Sequence, residues 1–193
     1  MGAWRALTLA ACAALVAGCT GQPTVLQYVP PSAACCSGPA QFTFRPLPLG
    51  QEAEFSLSAA DPTYDFSGRR AHFVALRIPD GFSASAIQVK SYLSTAYLPN
   101  ASAVLPDFVY LDRELRTIGR ASSGDFQNAG GFWRSAVSGR ARVPAAARYI
   151  VVIAGDGSGG LPALYSENRT PYRVRPAALG EFSLRLFGEA VHK

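Results

Sequence analysis

The sequence predicts an all-β protein, an antiparallel two-sheet β-sandwich of jelly-roll kind. Three observations predict it. The apolar runs are short, roughly eight in number, and rich in β-branched and aromatic residues. Several alternate with period two, as in Phe73, Ala75, Arg77 against His72, Val74, Leu76, Ile78. Turn residues such as Pro79-Asp80-Gly81 and Pro99-Asn100 separate the runs, and no long stretch repeats apolar residues at helical spacing.

In chain order, Gln41-Phe-Thr-Phe-Arg45 offers the first strand, stopped by Pro46 and Pro48. Ala53 to Ser58 alternates cleanly, with Phe55 and Leu57 inward and Glu54 and Ser56 outward. The turn-rich loop Asp61 to Gly68 leads into three central strands, Arg70–Pro79, Ser85–Ser94 and Leu105–Asp112. Arg113 to Asn128 is polar and reads as a loop, followed by strands at Gly131–Val137 and Arg148–Ala154. The second of these is nearly all apolar, which predicts a sheet interior covered on both faces. A Gly-rich turn, Gly155–Gly160, ends it. Leu161 to Leu179 carries three prolines and reads as a long excursion with a short helix, and Gly180–Phe187 is the closing strand.

The N-terminus carries a different signal. A short positive region, an apolar core from Leu7 to Val16 and small residues before Cys19 describe an export signal rather than a membrane-spanning helix. Val16-Ala17-Gly18-Cys19 resembles the bacterial lipobox, so residues 1–18 read as a lipoprotein signal peptide and Cys19 as the lipidation site. Acyl chains on Cys19 would anchor the protein to membrane, since two chains hold where one holds only marginally. Thr20, rather than Asp, follows the cysteine, which points to the outer membrane facing the periplasm. Residues 19–40 read as lipidated cysteine and proline-bearing tether, and 41–193 as the β-sandwich domain.

The chain of 193 residues has a formal net charge of +5. Nearly all of the positive charge is arginine, scattered singly. Nucleic acid would call for a clustered basic stripe with interleaved aromatics, so no nucleic-acid partner is expected. Of four cysteines, Cys12 leaves with the signal and Cys19 takes lipid. Cys35 and Cys36 remain, adjacent, and in an oxidising envelope they either close a vicinal disulfide, which we favour, or pair with another chain. Two thiols do not make a zinc site, and no metal or other cofactor is expected.

Gly155-Asp-Gly-Ser-Gly-Gly160 looks like the nucleophile turn of trypsin-like proteases, with Ala71-His72 as a histidine box. The extra Gly157 displaces the amides that would form the oxyanion hole, and His72 lies mid-strand, so a hairpin turn is the better reading. Asp61, Asp65 and Asp156 fit Asx turns better than calcium loops. The carboxylates single out no glycosidase pair. An enzyme is not expected. Among the aromatics Tyr92, Tyr97, Tyr110, Trp133 and Tyr165, core packing is the commoner fate. Tyr64, Tyr97 and Trp133 are the candidates for stacking on a sugar ring.

Cys35-Cys36, Phe73-Val-Ala-Leu-Arg-Ile-Pro79, the strand around Ser91, and Pro106-Asp-Phe-Val-Tyr-Leu-Asp112 occur in an order that resembles the maltose operon periplasmic protein family (MalM family). That family carries a Pro-x-x-x-x-Leu-Asp strand end in the same place, and the chain is similar to a short lipoprotein version of it. The resemblance implies a non-catalytic accessory that binds or hands over carbohydrate, with maltose or maltodextrin as the implied ligand. The alternative is a structural adaptor docking on an outer-membrane protein or on peptidoglycan.

Overall fold

The apolar run that reads as doubly covered, now β11 (Tyr149–Ala154), is the middle strand of a six-stranded sheet. The computed structural model describes residues 33–130 and 134–190. The other strands are β1 (Phe44–Pro46), β2 (Ala53–Leu57), β3 (Thr63–Asp65), β4 (Arg70–Arg77), β5 (Phe82–Tyr92), β6 (Ser102–Ala103) and β7 (Pro106–Leu111). After them come β8 (Thr117–Ser122), β9 (Gly124–Asn128), β10 (Ala136–Arg142), β12 (Ala163–Tyr165), β13 (Pro171–Arg173), β14 (Arg175–Pro176) and β15 (Gly180–Ala190). Single 3-10 turns stand at Pro39–Gln41 and Leu98–Asn100.

The first sheet runs β1-β4-β11-β7-β8, with β3 beside β4 along the same edge as β1. The second runs β2-β15-β5-β10-β9. Take the principal strands in chain order as β2, β4, β5, β7, β8, β10, β11 and β15. One sheet then reads first, eighth, third, sixth, and the other second, seventh, fourth, fifth, all neighbours antiparallel. That is the strand order of a jelly roll, two Greek keys folded on one another. The all-β sandwich expected from the sequence is the fold.

Alternation decides what each face does. On β4, Val74 and Leu76 enter the core between the sheets, beside Phe108, Ile150, Val152 and Phe182. Phe73 and Ala75 point the other way, into a second apolar layer with Phe42, Phe66, Val151 and Ile153. The six-stranded sheet is therefore buried on both sides, and its central strands are apolar throughout. Residues 33–40, read from sequence as the end of the tether, supply part of that second cover together with Phe42. The Cys35 amide donates to the Thr63 carbonyl at 2.7 Å, the Thr63 hydroxyl donates to the Ala33 carbonyl at 2.8 Å, and Cys36 packs on the layer.

Several elements differ from the sequence reading. The loop expected over 113–128 is the pair β8 and β9. Each is the edge strand of its sheet, so neither needs an apolar stripe, and their residues are mostly exposed or half-buried. The excursion from Leu161 to Leu179 forms no helix; it makes the hairpin β12–β13 and the short parallel pair β14–β6. Pro171 and Pro176 fall in these short edge strands, where a missing N–H is tolerated, and Pro162 stands just before β12. Leu164 and Val174 from this stretch close a third apolar cluster with Leu105 and Val137. The first strand starts at Phe44 rather than Gln41 and pairs parallel with β4. The strand expected over 131–137 starts at Ala136 and runs on to Arg142, while residues 131–133 lie outside the described part.

Candidate functional site: the open face of the five-stranded sheet

Among the described residues, no apolar layer covers one broad sheet face, and β5 runs down its middle. Ile87 and Val89 of β5 enter the core, so Gln88, Lys90 and Tyr92 face outward. The registers then assemble two rows. Lys90 is opposite Ser138 on one side and Ser183 on the other, Ser138 is opposite Gln127, and Ser183 is opposite Glu54. That row crosses all five strands. In the next row Gln88 stands between Arg140 and Arg185.

The side chains interlock. Gln88 Nε2 donates to Ser138 Oγ at 2.9 Å, and Ser183 donates to Glu52. Lys90 Nζ lies 3.9 Å from the same Glu52 carboxylate. At the end of the face the Tyr92 hydroxyl reaches Glu54 at 3.4 Å, and the Arg134 guanidinium covers the Tyr92 ring while pairing with Glu181. A groove of about 420 Å³ follows, lined by Glu52, Gln88, Lys90, Gln127, Ser138 and Arg185 among others. It offers amides, hydroxyls, a carboxylate and an ammonium group within a few ångströms of each other. Such a surface can donate to and accept from a ligand rich in hydroxyl groups. Tyr92, one of the aromatics for which the sequence made core packing the commoner fate, belongs to this face instead. The alternation of β5 carried that signal, since Tyr92 shares the parity of Gln88 and Lys90.

A second concavity, of about 350 Å³, lies at one end of the sandwich and is lined by Arg69, Arg70, His72, Gly155 and Asp156. Arg69 braces it, paired with Asp107 at 3.2 Å and donating to the Ala154 carbonyl. Here the protease-like motif resolves into turn chemistry. Asp156 accepts from the Ser158 amide at 2.8 Å, and that bond holds its carboxyl below the usual carboxylate range. The Ser158 hydroxyl meets Ser122 at 3.2 Å, and His72 Nδ1 lies 2.6 Å from the Asp61 carbonyl oxygen. Asp61 Oδ2 accepts from both the amide and the hydroxyl of Ser58 at 2.7 Å, and Asp65 accepts from the Gly68 amide. Each carboxylate thus closes a local turn with a backbone amide three residues away. Among the described residues no group of three or more His, Cys, Asp or Glu is gathered as for a metal.

The two described stacking candidates, Tyr64 and Tyr97, lie in different surroundings. Tyr64 lies on β3, half-buried, its ring 5.0 Å from those of Phe42 and Phe66 within the second apolar layer. Its partners are protein aromatics because the outer face of β4 has to be covered. Tyr97 stands at the turn before Leu98 with 63% of its surface exposed, and Trp133 lies outside the described residues. Tyr110 fills the core between the sheets, where burial pushes its phenol up. Cys35 and Cys36 are joined in a vicinal disulfide. Cys19 and the export signal lie outside the described residues.

No family model matches the chain, and comparisons with curated proteins and with solved structures returned no significant match. Fold and site define the class by themselves: an all-β jelly-roll sandwich with one polar sheet face.

Proposed function

We propose that this protein is a non-catalytic accessory of the bacterial cell envelope that binds or hands over carbohydrate. In this reading lipid on Cys19 holds it at the outer membrane, facing the periplasm. The observation that carries the binding role is the row Gln127, Ser138, Lys90, Ser183 and Glu54 across five strands, with the groove above it. Sugar hydroxyls pair with amide, hydroxyl and carboxylate groups, and a flat sheet presents several at strand spacing. The resemblance to the maltose operon family supports maltodextrins as the first ligands to try.

A thermal-shift titration of the protein against maltodextrins and a panel of other glycans tests it. A ligand at about a hundredfold over its dissociation constant adds roughly 2.7 kcal/mol, a rise of several degrees for a domain of this size. Gln88→Ala with Ser138→Ala should remove the shift and leave the unliganded melting curve in place. A flat response across the panel rejects the reading.

Exposed Tyr97 and Tyr165 favour a second reading, an adaptor that docks on an outer-membrane protein or on peptidoglycan. Both adjoin residues of the third cluster, Leu98 and Leu164, so they mark one side of the molecule. Cross-linking in intact cells should then trap a defined partner and lose it when both tyrosines become serine. Recovery of monomer alone would count against docking.

A further inference from the structure

We propose that the open face of the five-stranded sheet takes an acidic saccharide, with a ligand carboxylate held by Arg140 and Arg185 on either side of Gln88. The inference rests on the carbohydrate reading above and names the class of sugar. Both arginines are register partners of Gln88, one on β10 and one on β15. Neighbouring strands lie about 5 Å apart, so the two side chains rise from backbones about 10 Å apart on the same side of the sheet.

Both guanidinium groups approach one ring, that of Phe187. The central carbon of Arg140 lies 5.6 Å from the centre of the Phe187 ring, and that of Arg185 lies 5.3 Å from it. Phe187 pairs with Ala86, whose other register partner is Arg142, so a third cation stands one row further on. Lys90 and Arg134, on the same face, each have a carboxylate within 4.0 Å. Among the described residues Arg140 and Arg185 have neither an ion pair nor a hydrogen bond, only the Phe187 ring. Two like charges on one ring repel, and an anion placed between them converts that repulsion into attraction.

The shape of the donors narrows the anion. A guanidinium presents a planar fork that matches a carboxylate with two parallel hydrogen bonds. One row away, Lys90, Ser138, Ser183 and Gln127 offer partners for ring hydroxyls. A ligand with a carboxylate flanked by hydroxyls, the repeating chemistry of a uronic-acid oligomer, would engage both rows. A neutral glucan would use only the hydroxyl and amide row and leave the arginines unpaired.

The test is calorimetric titration of the purified full-length chain with tetragalacturonate and with maltotetraose, at low and at high salt. Arg140→Gln, Arg185→Gln and the double variant are run beside it. Both arginines are exposed, so the variants should melt as the parent does. The uronate should bind at least about tenfold more tightly than the neutral sugar and weaken as salt rises. Each single substitution should cost about tenfold for the uronate and leave maltotetraose within about twofold. Equal affinity for the two sugars, or uronate binding untouched in the double variant, overturns the acidic-sugar assignment while the carbohydrate reading stands. Binding of neither sugar overturns both. Arginine-dependent binding to phosphatidylglycerol vesicles, with no uronate binding, would move the anion to a lipid headgroup and overturn the saccharide.

Discussion

The Arg134 guanidinium lies 3.6 Å from the centre of the Tyr92 ring and pairs with Glu181 on the neighbouring strand. The arrangement caps one end of the polar face with a cation over an aromatic surface. Exposed cation–π contacts are worth about 0.5–1 kcal/mol, and exposed ion pairs less. A double-mutant cycle of Arg134→Ala and Tyr92→Ala, read by urea denaturation, should give a coupling of about 0.5–1 kcal/mol. Strict additivity would mean that the two groups do not meet in solution.

The two faces of β11 give a sharper stability test. Val152 points into the core between the sheets and Val151 into the second layer, and both are fully buried. Val151→Glu and Val152→Glu should each cost more than about 4 kcal/mol, because either buries an unpaired charge. Gln127→Glu on edge strand β9 should stay within about 0.5 kcal/mol. Thermal melts followed by circular dichroism separate the cases. A tolerant Val151 would mean that the segment carrying Cys36 and Phe42 does not cover the sheet.

That asymmetry explains which parts of the fold were legible. Tyr149–Ala154 declared itself by composition, since a strand covered on both faces has nowhere to place a polar residue. Ala53–Leu57 and Gly180–Phe187 declared themselves by alternation, one side facing core and the other water. Thr117–Asn128 declared nothing, because an edge strand takes its hydrogen bonds from one neighbour and needs little apolar side chain. The polar face was hidden for a related reason: Gln88, Lys90, Ser138 and Ser183 look like ordinary outward residues until register sets them in one row. Tyr64 misled because a turn-rich neighbourhood suggests exposure, whereas the outer side of β4 needed an aromatic cover.

The vicinal disulfide closes a loop of only two residues, so its effect on the unfolded chain is small. The loop-closure relation gives about 1 kcal/mol for Cys35–Cys36, against 2–4 kcal/mol for a typical bridge. Denaturant melts of the parent and of the Cys35→Ser/Cys36→Ser variant should differ by about that amount. A loss of about 3 kcal/mol or more would show that the ring also fixes how residues 33–42 lie on the sheet.

The β7–β8 hairpin supplies a pH signature. Asp112 accepts from the Arg116 amide and from its Nε, both at 2.8 Å, and Leu115 between them adopts a positive φ of 61°. Desolvation pushes the Asp112 carboxyl up, but the bonds and charge of Arg116 together outweigh it and hold the group below its ordinary value of 3.8. A carboxylate with a lowered folded pKa contributes stability that is complete above its unfolded pKa and lost as pH falls through the folded one. Asp112→Asn should therefore lower the melting temperature at pH 7, and the gap to the parent should close as pH drops below 3.8. Added salt should narrow the gap at pH 7 as well, because the Arg116 side chain is 72% exposed and ions reach the pair. A gap that stays constant from pH 7 down to acid would assign the loss to the turn's hydrogen bonds rather than to the charge.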